Sequence, residues 1–193
     1  MGIAAYGTAV GTGLPTGRRP IATLASALMA GPARSRPIGG DFRYRHPIEI
    51  RYVDTDALGH VNNAVYFSYF EAARGGYYHE VAGHRFGSGP DAHRRTFVIA
   101  EAHITYRQQA RYGEPLSCAC RVGWVGRSSF GLEYLVEVED SPIGQARVIA
   151  DGWTVQVFYD LVAARVMRMP PELLERITAY EGRELPRRPA QAG

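Results

Sequence analysis

The sequence predicts an α+β domain in which a curved antiparallel sheet wraps around one long central helix. Two observations carry this. Residues 63–82, "NAVYFSYFEAARGGYYHEVA", place Tyr66, Phe70, Ala73, Tyr77 and Val81 at helical spacing. Val65, Phe67 and Tyr69 make the first two turns apolar nearly all round, and a helix of that kind is buried on most sides. From residue 97 the apolar period changes to two and stays there through four segments, with no βαβ alternation. A lone all-round apolar helix is best buried by a sheet that curves over it.

The elements follow in order. "HPIEIRYVD" (46–54) alternates and predicts a first strand, and the helix comes next. Gly75 and Gly76 each cost the helix about 1 kcal/mol, and their usual use is close backbone approach, so something packs tightly there. "FVIAEAHITY" (97–106) turns Val98, Ala100, Ala102, Ile104 and Tyr106 inward. "LSCACRVGWV" (116–125) does the same with Leu116, Cys118, Cys120, Val122 and Trp124, and "FGLEYLVEVE" (130–139) with Phe130, Leu132, Tyr134, Val136 and Val138. In "ARVIADGWTVQVFY" (146–159) the inward set is Ile149, Trp153, Val155 and Val157. "GRSS" and "DSPIG" supply turns, and "PPELLERITAY" (170–180) is a closing helix with proline in its first turn.

Composition bounds the function. A chain of 193 residues, 46% hydrophobic, builds one good core, and no apolar run approaches the roughly 20 residues that span a bilayer. The net charge of +3 is misleading, because residues 1–40 hold Arg18, Arg19, Arg34 and Arg36 and no acid. The rest carries 18 basic against 19 acidic side chains, so there is no nucleic-acid footprint. All 22 basic residues are arginine, which excludes a Schiff-base lysine, pyridoxal phosphate and a Walker-type phosphate loop. Cys118 and Cys120 sit two apart on one strand and point the same way, as packing residues in a reducing, cytoplasmic compartment. Residues 1–40, rich in Gly, Ala, Pro and Arg, are expected to be a disordered or processed extension; 41–182 form the domain and 183–193 a flexible tail.

The chemistry concentrates in "RYVDTDALGHVNNAVYFSYFEAAR" (51–74). Asp54 and Asp56 close a strand, Gly59 permits a turn, and Asn62 and Asn63 stand where the helix starts. Helix-start amides are unsatisfied and partly positive, which suits a developing oxyanion. A carboxylate a few residues earlier can attack, or direct water at, a carbonyl those amides polarise: a minimal acyl-transfer site. Against this, Asp54 reads better as a brace of the turn, and Asp56 or His60 can be turn residues too. Asp54, Asp56 and His60 with no evident fourth ligand are a poor metal site. Glu71 and Arg74, three apart, form a helix pair, and no nucleophile elbow is present. Arg107, just after a strand tyrosine, has no assignment.

That stretch resembles the signature of the 4-hydroxybenzoyl-CoA thioesterase family, including its YbgC-like members. The resemblance continues through "ITYRQQARYGEPLSCACRV", "GRSSFGLEYLV" and "VFYDLVAARVMRMPPELLERI" and covers roughly residues 47–180. It implies the hotdog fold, hydrolysis of an acyl-CoA thioester, coenzyme A as leaving group, and no metal or other cofactor. Residue by residue, it implies Asp56 as general base or nucleophile and the Asn63 backbone amide as oxyanion donor. His60 and Asn62 match an "HVNN" form similar to plant acyl-carrier-protein thioesterases, in which the histidine assists. Those enzymes carry an asparagine two residues before the histidine, where this chain has Leu58. Gly59, Asn62 and Tyr66 are expected to line the substrate, and Arg127 with Ser128 to meet the coenzyme A phosphates. Hotdog proteins pair their sheets, so a homodimer or homotetramer is expected. The alternatives are an acyl-carrier-protein thioesterase, a hotdog hydratase or dehydratase, and a non-catalytic acyl-CoA-binding protein.

Overall fold

The computed structural model describes residues 38–85, 87, 88 and 94–188, so the expected N-terminal extension up to residue 37 lies outside the described residues. The elements are β1 Tyr44–Ile48, α1 Val65–Ala82, β2 Arg95–Tyr106, β3 Leu116–Val125, β4 Ser129–Val138, β5 Arg147–Asp160, β6 Arg165–Val166 and α2 Pro171–Glu181. The strands form one antiparallel sheet in the order β1-β3-β4-β5-β2, with β6 added to the end of β5. This is the predicted α+β arrangement of a sheet against a central helix.

Helix α1 buries Tyr66, Tyr69, Phe70, Ala73, Tyr77, Val81 and Ala82. Phe70 stacks on Tyr134 of β4 at 4.2 Å between ring centroids. Gly76 is where a strand comes close: a Cβ there would collide with the Tyr44 hydroxyl of β1 and reach His46, while one at Gly75 would meet nothing. The helix ends at Gly83, whose φ of 75° is a left-handed cap. Helix α2 is fastened beneath by Glu181, which accepts from the Tyr77 hydroxyl at 2.6 Å and the Val122 amide at 3.0 Å.

Several inward-facing sets differ from the alternation. The first strand begins and ends earlier than expected, and Tyr52–Asp54 form a 3-10 turn instead. In β2 a bulge between Ile99 and Glu101 shifts the register. Before it Phe97, not Val98, joins the core, against Phe130 and Phe158, and Val98 and Ile99 stay 45% and 48% exposed. A second bulge, between Val122 and Trp124 of β3, pairs Trp124 with Gly131. The indole therefore lies on the face away from α1, over Gly131, where a Cβ would collide with it. In β5 the floor under α1 is Gly152, Thr154 and Gln156, while Trp153 is 37% exposed and stacks on His103. Thr154 and Gln156 tolerate burial because Tyr134, Thr154 and Gln156 hydrogen-bond in series.

Residues on either side of 41–182 also make contacts, and residues 189–193 of the expected tail lie outside the described residues. The Ile38 amide donates to Asp151 at 3.2 Å, and Arg121 donates to the carbonyls of Gly39 and Asp41. Residues 183–188 are held against β3: Leu185 is buried, the Val125 amide donates to Pro186 and the Arg188 amide to Val125.

Candidate active site

The site is a short hairpin between β1 and α1. Thr55 pairs with Val61, the Asp56 amide donates to His60 at 2.9 Å, and the Gly59 amide donates to Asp56 at 3.0 Å. Gly59 takes φ 74°, which a side chain would strain. The Asn62 amide closes the base of the hairpin on the Asp54 carbonyl at 2.8 Å.

The two aspartates have different surroundings. Asp54 is 2% exposed; its carboxylate accepts from the Arg51 amide at 2.9 Å, the Arg51 guanidinium at 2.7 Å and the Tyr69 hydroxyl at 3.3 Å. The hydrogen-bonded Arg51 guanidinium holds this carboxyl below its usual range. Asp54 is thus the brace, as read. Asp56 is half-buried, and its Oδ1 accepts the Leu58 amide at 2.8 Å. Its Oδ2 takes no hydrogen bond from any described residue, so one oxygen is engaged by the backbone and the other is not.

The start of α1 is pinned on both sides of Asn63. The Val65 amide donates to the Asn62 carbonyl at 3.0 Å and the Ala64 amide to Asn62 Oδ1 at 2.9 Å. The Val61 amide donates to Ala110 at 2.9 Å, and the Tyr106 hydroxyl donates to the Asn63 carbonyl at 2.8 Å. From Val61 to Val65, the Asn63 N–H alone has no acceptor among the described residues, and Asn63 is exposed. An unpaired amide at a helix start is the kind of group that can receive a developing negative charge.

The other expected site residues divide. His60 is half-buried beside Asp56 on the same hairpin, and its ring bonds to no described residue. The Asn62 side chain is engaged, its Oδ1 accepting the Ala64 amide at the residue that caps α1. Tyr66 is 3% exposed and not a surface lining; burial raises its hydroxyl to about 12 against the pull of the Ala110 amide beside it, and its ring braces Tyr69 and Tyr106 edge-on. Arg127 and Ser128 are not brought to this site within one chain. The β1–β3 register sets Ile48, which leads into the hairpin, opposite Leu116 at the start of β3. Arg127 follows the far end of that ten-residue strand, about 30 Å away at the rise of a strand. Among the described residues no group of three or more His, Cys, Asp or Glu side chains could hold a metal ion.

Sequence reasoning missed what holds the hairpin up. Arg107 forms a buried ion pair with Asp151 of β5, its Nη2 3.1 Å from Oδ2, with both side chains under 10% exposed. The Arg107 and Gln108 amides both donate to Ile149, at 2.8 and 3.0 Å. This fixes the end of β2, from which Tyr106 and Ala110 reach the start of α1. No local spacing signals it, since Tyr106 and Asn63 stand 43 residues apart.

A family model described as the thioesterase-like superfamily matches residues 50–177. Among curated proteins, the long-chain acyl-CoA thioesterase FadM of Escherichia coli (strain K12) is 28% identical over 130 residues, spanning 67% of this chain and 93% of that protein. Among solved structures, a Thermus thermophilus thioesterase complexed with coenzyme A and Zn is 34% identical, with TM-score 0.60 over 75% of this chain and 98% of that one. The hypothetical protein TT1821 of Thermus thermophilus aligns with TM-score 0.62 and 25% identity over 72% of this chain and 99% of that one. With the hotdog arrangement and a matched span that takes in the whole hairpin, the chain belongs to the thioesterase-like superfamily and is a thioester hydrolase.

Proposed function

We propose that this chain hydrolyses an acyl-CoA thioester, with Asp56 acting on the thioester carbonyl and the Asn63 N–H receiving the oxyanion. The observation that carries the reading is the placement, within eight consecutive residues, of a carboxylate with one oxygen engaged and one unengaged and of the Asn63 N–H, which has no acceptor among the described residues. As general base, Asp56 takes a proton from water whose oxygen adds to the carbonyl carbon. The oxyanion then collapses, the C–S bond breaks, and coenzyme A leaves as a thiolate that is protonated. As nucleophile, Asp56 would displace the same thiolate to form a mixed anhydride, which water then cleaves. The Asn63 amide serves either route and contributes about 3 kcal/mol, the scale of other single oxyanion donors.

Support for coenzyme A as the leaving group comes from the likeness to FadM and to the coenzyme A complex. The free edge of β2, with Val98 and Ile99 half-exposed, supports pairing with a second copy. Arg127 and Ser128 would then meet a substrate only on the partner's site. A carrier-protein thioester is the second reading, favoured by the "HVNN" stretch.

The test is thiol release from short, long and aromatic acyl-CoAs, run beside an acyl-carrier-protein thioester, with wild type and Asp56→Asn. Release from acyl-CoA that falls by orders of magnitude in Asp56→Asn supports the proposal. Release confined to the carrier-protein thioester moves the substrate, and equal release by the folded variant refutes the role of Asp56.

A further inference from the structure

We infer that Tyr106 is a positioning residue for thioester hydrolysis, acting through the Asn63 peptide; the inference rests on the oxyanion role of the Asn63 amide proposed above. An amide stabilises an oxyanion only if its N–H vector is fixed before charge develops. Two peptide planes meet at Asn63. The first carries the Asn63 N–H and is held at its carbonyl, that of Asn62, by the Val65 amide. The second is held at the Asn63 carbonyl by the Tyr106 hydroxyl at 2.8 Å. Without that hydroxyl the second plane has, among the described residues, only the contact from the Ala64 amide to the Asn62 side chain, itself a rotatable group.

Tyr106 is suited to the task because its own position is set elsewhere. It is the last residue of β2, paired with Ala150. The next residue, Arg107, is locked by the buried pair with Asp151 and by the Ile149 carbonyl. The Tyr106 ring packs edge-on against Tyr66, centroids 5.5 Å apart. The sheet thus supplies a rigid arm whose hydroxyl meets the helix one residue before its N-cap, at the peptide that borders the candidate donor. Displacing a catalytic group by about 1 Å costs on the order of a hundredfold in rate, whereas substrate contacts elsewhere would be untouched.

The experiment compares wild type with Tyr106→Phe, which keeps the ring and loses the hydroxyl, and Tyr106→Leu, which loses both. Steady-state thiol release from an acyl-CoA that wild type cleaves is measured with thermal unfolding and amide hydrogen exchange. The expected result is a kcat lower by about ten- to a hundredfold in Tyr106→Phe, with KM within about twofold and faster exchange at Ala64 and Val65 but not in the middle of α1. An unchanged kcat in Tyr106→Phe overturns the inference, as does a loss seen only in Tyr106→Leu, which would assign the effect to ring packing. A rise in KM equal to the fall in kcat/KM overturns it too. If wild type releases no thiol from any acyl-CoA, the acyl-CoA reading fails separately, and unchanged exchange at Ala64 and Val65 then removes the positioning role as well.

Discussion

The Tyr69 hydroxyl donates to the Asp54 carboxylate at 3.3 Å, which ties the hairpin carrying Asp56 to the second turn of α1. Tyr69→Phe removes that tie and leaves Asp54 its Arg51 contacts. The expected cost is about 1 kcal/mol, read as a lowered denaturant midpoint with unchanged slope.

The same carboxyl sets a pH dependence. Its folded-state pKa is depressed, chiefly by the hydrogen-bonded Arg51 guanidinium. Its contribution to stability is therefore complete above the unfolded value of about 3.9 and is lost as pH falls through the lower folded value. Unfolding midpoints recorded from pH 6 down to pH 2 should fall less steeply in Asp54→Asn than in wild type.

Asp56→Asn should leave the fold nearly as stable as wild type, because the asparagine carbonyl can still accept the Leu58 amide that Asp56 Oδ1 accepts. Stability within about 0.5 kcal/mol beside a collapse of turnover separates a reacting group from a turn residue. A large loss of stability would return Asp56 to a structural role.

The adjacent glycines of α1 should respond in opposite directions. Gly75→Ala meets open space and should stabilise by about 0.5–1 kcal/mol through helix propensity. Gly76→Ala drives a methyl into the Tyr44 hydroxyl and His46, whose mutual hydrogen bond measures 3.0 Å. It should cost about 1–3 kcal/mol as overpacking. Thermal unfolding of the two variants side by side checks both signs.

Arg107→Met strands Asp151 in the interior, since both partners are under 10% exposed. The expected loss is about 3–5 kcal/mol, and the double variant Arg107→Met with Asp151→Leu should recover much of it. Equal losses in the single and double variants would mean the pair is not what anchors β2.

The sequence was legible where structure follows local pattern. The strand "LSCACRVGWV" matches β3 residue for residue, and the alternate set from Phe130 to Val138 faces α1 as read, because both strands lie inside the sheet with one face on the helix. Legibility failed where one extra residue reverses the alternation: Ala100 carries no mark of its bulge, and Gly123 marks one only as a glycine inside a strand. It failed again in β5, where hydrogen bonding lets Thr154 and Gln156 line the core and leaves Trp153 outside. At the site, the turn that leads from Asp56 to Asn63 was readable because eight consecutive residues carry it. Tyr106 and Arg107 were not, because only the path of the chain through β5 brings them there. Arg127 and Ser128 were expected by motif to meet the coenzyme A phosphates, and the strand order sets them, within one chain, past the end of β3 that lies away from the hairpin.

The strand order also sets a timetable for synthesis. The hairpin and the helix start are complete once residue 65 has been made, yet Tyr106 belongs to β2, whose sheet partner is β5, Arg147–Asp160. Until β5 emerges from the ribosome β2 has nothing to pair with, and the arm that reaches Asn63 has no fixed register. β3, β4 and β5 can zip together as successive hairpins, but β2 must wait and then join across a long loop, the slow kind of contact. The nascent chain thus carries Asp56 early and gains the Tyr106 contact to Asn63 only after residue 160 has been made.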